Sequence, residues 1–174
     1  FQSNGAADAN HSTDDENGGA VCCLSNSSPS IANCEFADNY AARYGGAVYC
    51  YSSSLTVIDC LFVGNSATMC GGAIYCKYSS STSLTGCQFS GNNSHTGGAI
   101  QFYSSTSTII NCVFTDNVAI GTMAEAGAIL FTCNSNASVI NCTFSGNHTD
   151  YRGGAVSCWN SSVSTFDNCI LWGD

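Results

Sequence analysis

The tetrapeptide Gly-Gly-Ala-Val/Ile recurs six times along this chain of 174 residues, opening at Gly18, Gly45, Gly71, Gly97, Ala126 (as Ala-Gly-Ala-Ile) and Gly153. Successive copies lie 27, 26, 26, 29 and 27 residues apart, and each is followed about sixteen residues later by Cys-x-Phe-x-x-Asn or a close variant. A fixed period of this length constrains the chain to a solenoid, in which each repeat buries its apolar face on the next.

Aligned column by column, the repeats state what each position does. One cysteine column is complete: Cys34, Cys60, Cys87, Cys112, Cys142 and Cys169. Two residues on stands an aromatic column, Phe36, Phe62, Phe89, Phe114 and Phe144, ending in Leu171. Three further comes Asn39, Asn65, Asn92, Asn117 and Asn147, closed by Asp174. The alternation Cys-x-Phe predicts a strand with both side chains on the buried face. The asparagine follows a turn residue, from which its amide can hydrogen-bond the neighbouring rung. A second strand follows Gly-Gly-Ala, with Val48/Cys50, Ile74/Cys76, Ile100/Phe102, Ile129/Phe131 and Val156/Cys158 pointing one way. A third lies in the Ser/Thr-rich stretch around Ile31, Val57, Leu84, Ile109, Val139 and Phe166. Three short strands per turn describe an all-β, right-handed parallel β-helix of six to seven rungs, the hand following from the rule for parallel crossovers. Rungs stacked at roughly 4.8 Å make it on the order of 30 Å long. Residues 1–17 read as a partial first rung with an acidic leader loop, and residues 18–174 as the repeats, the last incomplete.

The paired motifs GGA[ILV] and FxxN closely resemble the repeat of the chlamydial polymorphic membrane proteins, surface-exposed autotransporter passengers. The resemblance covers nearly the whole chain and implies a β-helical, surface-located, adhesive protein. Similar repeats occur in large extracellular proteins of other lineages, so it identifies a repeat type.

Charge excludes several functions. Three basic residues (Arg43, Lys77, Arg152) face twelve acidic ones, a net charge of −9. Phosphate neutralisation needs Lys and Arg, so neither nucleic acid nor an anionic membrane surface fits as a partner. No apolar run is long enough to insert in a bilayer. The chain starts at Phe1 without an initiator Met or signal peptide, and reads as processed or as part of something longer. Thirteen cysteines in a Ser/Thr/Asn-rich chain point to a secreted or cell-surface protein in an oxidising compartment.

Four rungs carry both cysteine columns, which suggests the bridges Cys23–Cys34, Cys50–Cys60, Cys76–Cys87 and Cys158–Cys169. Cys133 could reach Cys112 or Cys142, and Cys22 and Cys70 are off-column. The competing arrangement is a ladder of buried free thiols packing as small hydrophobes. Without any C-x-x-C spacing, no metal or other cofactor is expected. Seven N-x-[ST] sequons occur. Asn92 and Asn147 fall in the structural column and should be buried, whereas Asn10, Asn26, Asn136 and Asn160 lie in polar stretches open to glycosylation.

Phe1-Gln2-Ser3-Asn4 is itself an FxxN motif, so the chain reads as opening in mid-rung, and Leu171-Trp172-Gly173-Asp174 is the degenerate form of the same motif. An open β-helix end exposes unpaired backbone and apolar side chains. Phe1, Asn4, Leu171, Trp172 and Asp174 are therefore candidates for an assembly interface. The partner would be another copy stacked head to tail, or flanking β-helix of a longer chain. The insert holding Asp8, Asp14, Asp15 and Glu16 reads as a solvated loop rather than a calcium site.

Catalysis finds no support in the motifs. His11, His95 and His148 sit in loops, Asp59 and Asp167 in turn columns, and Arg43 and Arg152 stand several rungs apart. Paired hydroxyls at Ser28/Ser30, Ser54/Thr56, Ser81/Ser83 and Thr106/Thr108 resemble the ice-binding arrays of some β-helical antifreeze proteins, though the array fails at Asn136 and Val163. Outward aromatics, Tyr49, Tyr51, Tyr75, Tyr103 and Trp159, offer rings that stack on carbohydrate or anchor a protein. The sequence thus points to a non-enzymatic structural or adhesive protein, a glycosylated filament subunit in its most specific form, with ice binding or an adhesin segment as alternatives.

Overall fold

A computed structural model describes residues 2, 4–6 and 16–174. Phe1, Asp8, Asn10, His11, Asp14 and Asp15 lie outside the described residues. Those described form a parallel β-solenoid in which each turn of chain lays one strand on each of four six-stranded sheets. The third rung shows the pattern, with strands Ile74–Lys77, Ser81–Thr85, Gln88–Ser90 and Asn93–Ser94. The first three are those expected from the sequence. The fourth, two residues long, is an addition with a clear cause: the residue after each column asparagine donates its N–H to the carbonyl of the asparagine one rung earlier. Ser66 bonds Asn39 at 2.9 Å, Asn93 bonds Asn65 at 2.9 Å, and Val118 bonds Asn92 at 2.9 Å.

Register follows the repeat columns. Cys76 pairs with Cys50, Leu84 with Val57 and Phe89 with Phe62. The inward columns are fully buried in the central rungs. Phe36, Phe62, Phe89, Phe114 and Phe144 form one stack with 4.8 Å between successive ring centres and planes within 5°. Ring spacing thus equals strand spacing, so each phenyl face is covered without distorting the sheet. One expected column is misplaced by a residue. Asp59 does occupy the left-handed turn position, but Asp167 aligns with Ile140 in the strand, and Asn168 takes the turn with φ 50°.

The Gly-Gly-Ala signature has a separate reason at each position. Gly71 adopts φ +64°, a conformation that Ala126 also holds at 59°. A Cβ on Gly72 would collide with the carbonyl oxygen of Gly98 and lie 2.6 Å from that of Asn93. Ala73 then fits a site with no accessible surface.

The asparagine column is a continuous hydrogen-bonded ladder. Each amide Nδ2 donates forward to the Oδ1 of the next rung: Asn39 to Asn65 (2.8 Å), Asn65 to Asn92 (3.0 Å), Asn92 to Asn117 (2.9 Å) and Asn117 to Asn147 (2.9 Å). The second amide hydrogen goes back to a phenylalanine carbonyl, as from Asn92 to Phe62 (3.0 Å). Asn4 joins the ladder through Asn39 (2.9 Å), in the asparagine column. Asp174 ends it by accepting from Asn147 (2.8 Å).

All thirteen cysteines are free thiols, and the four within-rung bridges expected from sequence are not formed. The columns are engaged along the axis instead. In the complete column each thiol donates to the carbonyl two residues earlier, as from Cys60 to Ile58 (3.2 Å), Cys112 to Ile110 (3.3 Å) and Cys142 to Ile140 (3.2 Å). Cys50 stands between its column mates Cys23 and Cys76. Cys133 meets neither Cys112 nor Cys142; its sulfur accepts from Asn160 at 3.0 Å. Cys22 and Cys70 lie off the inward columns, as expected, on the outer face.

Three outcomes follow. Asn92→Ala orphans the backbone N–H of Asn65 and removes the amide donor to Phe62. Urea denaturation should show about 3 kcal/mol less stability, against no more than about 0.5 kcal/mol for the exposed Ser81→Ala. Without reductant, a thiol reagent should modify the exposed Cys22 and Cys158 in the native protein, and the buried Cys50, Cys76, Cys87 and Cys112 only after unfolding. The neighbouring Cys23 thiol lowers the Cys50 pKa, but the Cys76 thiol on its other side and burial outweigh this and raise it from 9.0 to about 12. A group raised in the folded state contributes stability that is complete below the unfolded value, so unfolding midpoints should hold below pH 9 and fall between pH 9 and about 12.

Candidate functional site

Inward positions are occupied by the core, so any binding chemistry must come from outward columns. Outside the Gly-Gly-Ala sheet run three of them. One is the bridge column Asn17, Tyr44, Cys70, Thr96, Glu125, Arg152. The next is Cys22, Tyr49, Tyr75, Gln101, Leu130, Ser157, and beyond it Tyr51, Lys77, Tyr103 and Thr132 stand in register. Trp159 follows the last strand, and its N–H bonds the Phe131 carbonyl at 3.1 Å.

The expected aromatic group divides in two on this face. Tyr49 and Tyr75 do point outward, but they are only 6% and 3% exposed. Tyr44 covers them, with its ring centre 6.3 Å from Tyr49 and 4.9 Å from Tyr75. Burial pushes the Tyr75 phenol well above the ordinary range. Tyr51, Tyr78 and Tyr103 pack edge to face beside them, and the Lys77 ammonium sits 4.6 Å from the Tyr78 ring centre. This half of the face is an aromatic and cationic plate with a smaller hollow beside Tyr49 and Tyr51, and Arg43 is held both by Tyr44 (5.1 Å) and by Glu16 (3.6 Å).

Trp159 belongs to the other half, two to three rungs away, where the surface opens into a groove of about 560 Å³. Thr96, Gln101, Glu125, Tyr151, Arg152 and Trp159 line it, with His95 also on its wall. Tyr151 and Trp159 flank the sixth rung on opposite sides, about half exposed, and Leu130 gives an apolar floor between them. Thr96 donates to the Gln101 side-chain carbonyl at 2.7 Å, which turns the amide nitrogen of Gln101 towards open space. Arg152 lies over the Tyr151 ring at 4.5 Å and donates to its hydroxyl at 2.8 Å. Glu125, only 9% exposed, has no hydrogen bond or ion pair from its carboxylate among the described residues.

Of this set the sequence singled out Trp159 as an outward aromatic, and named His95 and Arg152 only in weighing charge and catalysis. The signal for the rest is a spacing: nine residues separate Asn117 from Ala126, where six separate Asn39 from Gly45 and Asn65 from Gly71. The additional residues carry Met123 to the groove, just ahead of Glu125 in the bridge column. In solenoids such insertions map to one face, often the binding face.

The other candidates fall elsewhere. The hydroxyl columns are in register on the outside of their sheet, Ser54 with Ser81 and Thr106, and Thr56 with Ser83 and Thr108. The sequon residues Asn26, Asn136 and Asn160 are exposed, and Asn92 and Asn147 are buried in the ladder. At the sixth rung Leu171 and Trp172 are exposed, Trp172 by 75%. His148 is also exposed, its Nε2 3.7 Å from an Asp150 carboxylate oxygen. Among the described residues no three His, Cys, Asp or Glu side chains converge as metal ligands. No described helix is long and apolar enough to cross a membrane.

Comparison with curated proteins and with solved structures gave no match. Comparison with protein families gave one: the model described as periplasmic copper-binding protein (NosD) matches residues 2–173, which takes in all six rungs and both halves of the outer face. By that match and the β-solenoid it spans, the chain belongs to the NosD family.

Proposed function

We propose that this chain is a non-enzymatic, cell-envelope or extracellular β-helix that works by adhesion, with the outer face of the Gly-Gly-Ala sheet as its contact surface. The observation that carries this reading is the groove between Tyr151 and Trp159, an open hollow with aromatic walls and a few convergent polar groups. A non-enzymatic role is supported by the contents of that groove: glycoside cleavage by the usual route needs two facing carboxylates, and among the described residues Glu125 is the single acid on its wall. The periplasmic description of the family and the likeness of the GGA[ILV] and FxxN motifs to polymorphic membrane protein repeats both support a location outside the cytoplasm. Glycosylation at Asn26, Asn136 and Asn160 is compatible with that location and with their exposure.

The copper in the family's description does not fit the described residues. Copper sites draw on converging imidazole, thiolate or thioether ligands. Here the column thiols of the central rungs are buried and donate to backbone carbonyls, and no three His, Cys, Asp or Glu side chains converge among the described residues. No role in this reading therefore passes through copper.

A second reading rests on the sixth rung, where Leu171 stands exposed in the column that Phe144 fills, fully buried, one rung below, with the outward Ile170 and Trp172 exposed on either side of it. Another copy laid on that rung would extend all four sheets into a filament. Electron microscopy of the purified protein distinguishes the two: filaments with an axial repeat near the solenoid's length establish stacking, and discrete particles overturn it.

For the adhesive reading, beads coated with folded protein should be retained on cell-surface and matrix preparations. Beads carrying heat-unfolded protein should wash off. Equal retention of both sets would overturn the proposal.

A further inference from the structure

The groove has a chemistry that selects among ligands, and we propose that it is a binding subsite for an uncharged oligosaccharide, with Glu125 and Gln101 reading a pair of neighbouring hydroxyls between the rings of Tyr151 and Trp159. This rests on the adhesive reading for its biological meaning but on the groove alone for its chemistry.

The argument starts from Glu125. The residue is only 9% exposed, its carboxylate oxygens meet solvent from the groove side, and nothing within the described residues donates to them, neither a backbone N–H, a hydroxyl nor the nearby guanidinium. Donors can reach this acceptor only from the groove, where a ligand hydroxyl can replace water on it. Arg152 does not serve, because it is already committed to Tyr151 through the ring face and the hydroxyl. One rung away stands a complementary group. With its carbonyl taken by Thr96, Gln101 presents its NH2 to the same hollow. The site thus offers one strong acceptor and one donor, backed by neighbouring rungs of a rigid sheet, because Thr96 and Glu125 are bridge partners. A vicinal diol satisfies both at once, one hydroxyl donating to Glu125 and the next accepting from Gln101.

The walls select the rest of the ligand. Trp159 and Tyr151 are large, half-exposed rings on either side of a floor formed by Leu130. Pyranose faces carry C–H groups that pack on such rings, whereas a phosphate or a free carboxylate gains nothing from them. Charge selects further. The chain carries a net −9, and the acid in the groove has no internal counter-ion, so uronic, sialic or sulfated sugars are repelled. A cationic peptide would satisfy Glu125, but it would leave the Gln101 donor unused and set a positive end beside Arg152. A neutral saccharide uses every group the groove presents.

The protein contains two tryptophans, so Trp172→Phe leaves Trp159 as the only indole emitter. In that background the emission should change saturably on titration with neutral hexaoses, tested as β-1,4-, β-1,3- and α-1,4-linked glucose oligomers. Trisialic acid and hexalysine should give no change. Glu125→Gln should weaken the response to the preferred oligomer at least about tenfold, the loss of one charge-assisted hydrogen bond. Urea midpoint and far-ultraviolet circular dichroism should be unchanged. Trp159→Ala, followed by calorimetry, should abolish binding in the same folded protein. If none of the neutral hexaoses is bound, the saccharide subsite is refuted. A response to hexalysine that disappears in Glu125→Gln would refute it equally, and would reassign the groove to basic peptides. Retention of bead adhesion in Trp159→Ala would refute only this site's part in adhesion, whereas saccharide binding without bead adhesion would refute the adhesive reading and leave the site standing.

Discussion

The hydrogen bond between stacked asparagine amides is the constraint on which the rest of the structure depends. An amide is the one neutral side-chain group with both an acceptor and two donors in a plane, so it can accept from one rung and donate to another. In parallel, in-register strands the spacing of the rungs sets the spacing of the side chains. At that spacing Nδ2 of Asn65 lies 3.0 Å from Oδ1 of Asn92 and 2.9 Å from the carbonyl of Phe36. The ladder turns the chain sharply after each phenylalanine and holds the following residue flat enough to start the fourth strand. It also fixes register: a slip of one residue would bury a vacant amide position and turn the phenylalanine stack out to solvent.

Much of this was legible because it is written six times. A column filled by phenylalanine in five rungs leaves little doubt about which way it faces, and the turn residues before the asparagines announce left-handed backbone. The fourth strand was harder to read. Its outward residues are Tyr40, Ser66, Asn93, Val118 and His148, which share no property, and its only regular mark is a small inward residue such as Ala41, Ala67, Ser94 or Ala119. The state of the cysteines was not legible either. Sequence spacing puts two cysteines in one rung, but in a solenoid the neighbour across a core is a weaker relation than the neighbour along the axis, where each thiol already has a carbonyl to bond.

The outer face illustrates the converse. Repetition identifies the residues that hold the solenoid together, so residues that make one surface unlike another must be sought where repetition fails. Tyr44, Cys70, Thr96, Glu125 and Arg152 occupy one bridge column with five different chemistries. The lengthened connection before Ala126 brings a methionine into that face beside the column's carboxylate. Neither feature is a motif, and the groove is assembled from rungs that are separate in sequence. A reading organised by columns sees the scaffold first, and sees the site only as an irregularity in it.

The amide ladder also gives the solenoid a direction. Every Nδ2 in the column points the same way along the axis, so the bonds form a polarised chain whose links strengthen one another. Asp174 stands in this column with oxygens alone. It receives both the backbone and the side-chain N–H of Asn147, each at 2.8 Å, but has no amide hydrogen to pass forward. A rung laid beyond it, from whichever chain, would find an acceptor where the wire needs a donor, and would be held there by its backbone ladders and apolar contacts. The column thus carries a seam, a place where the stack can part more easily than anywhere below it.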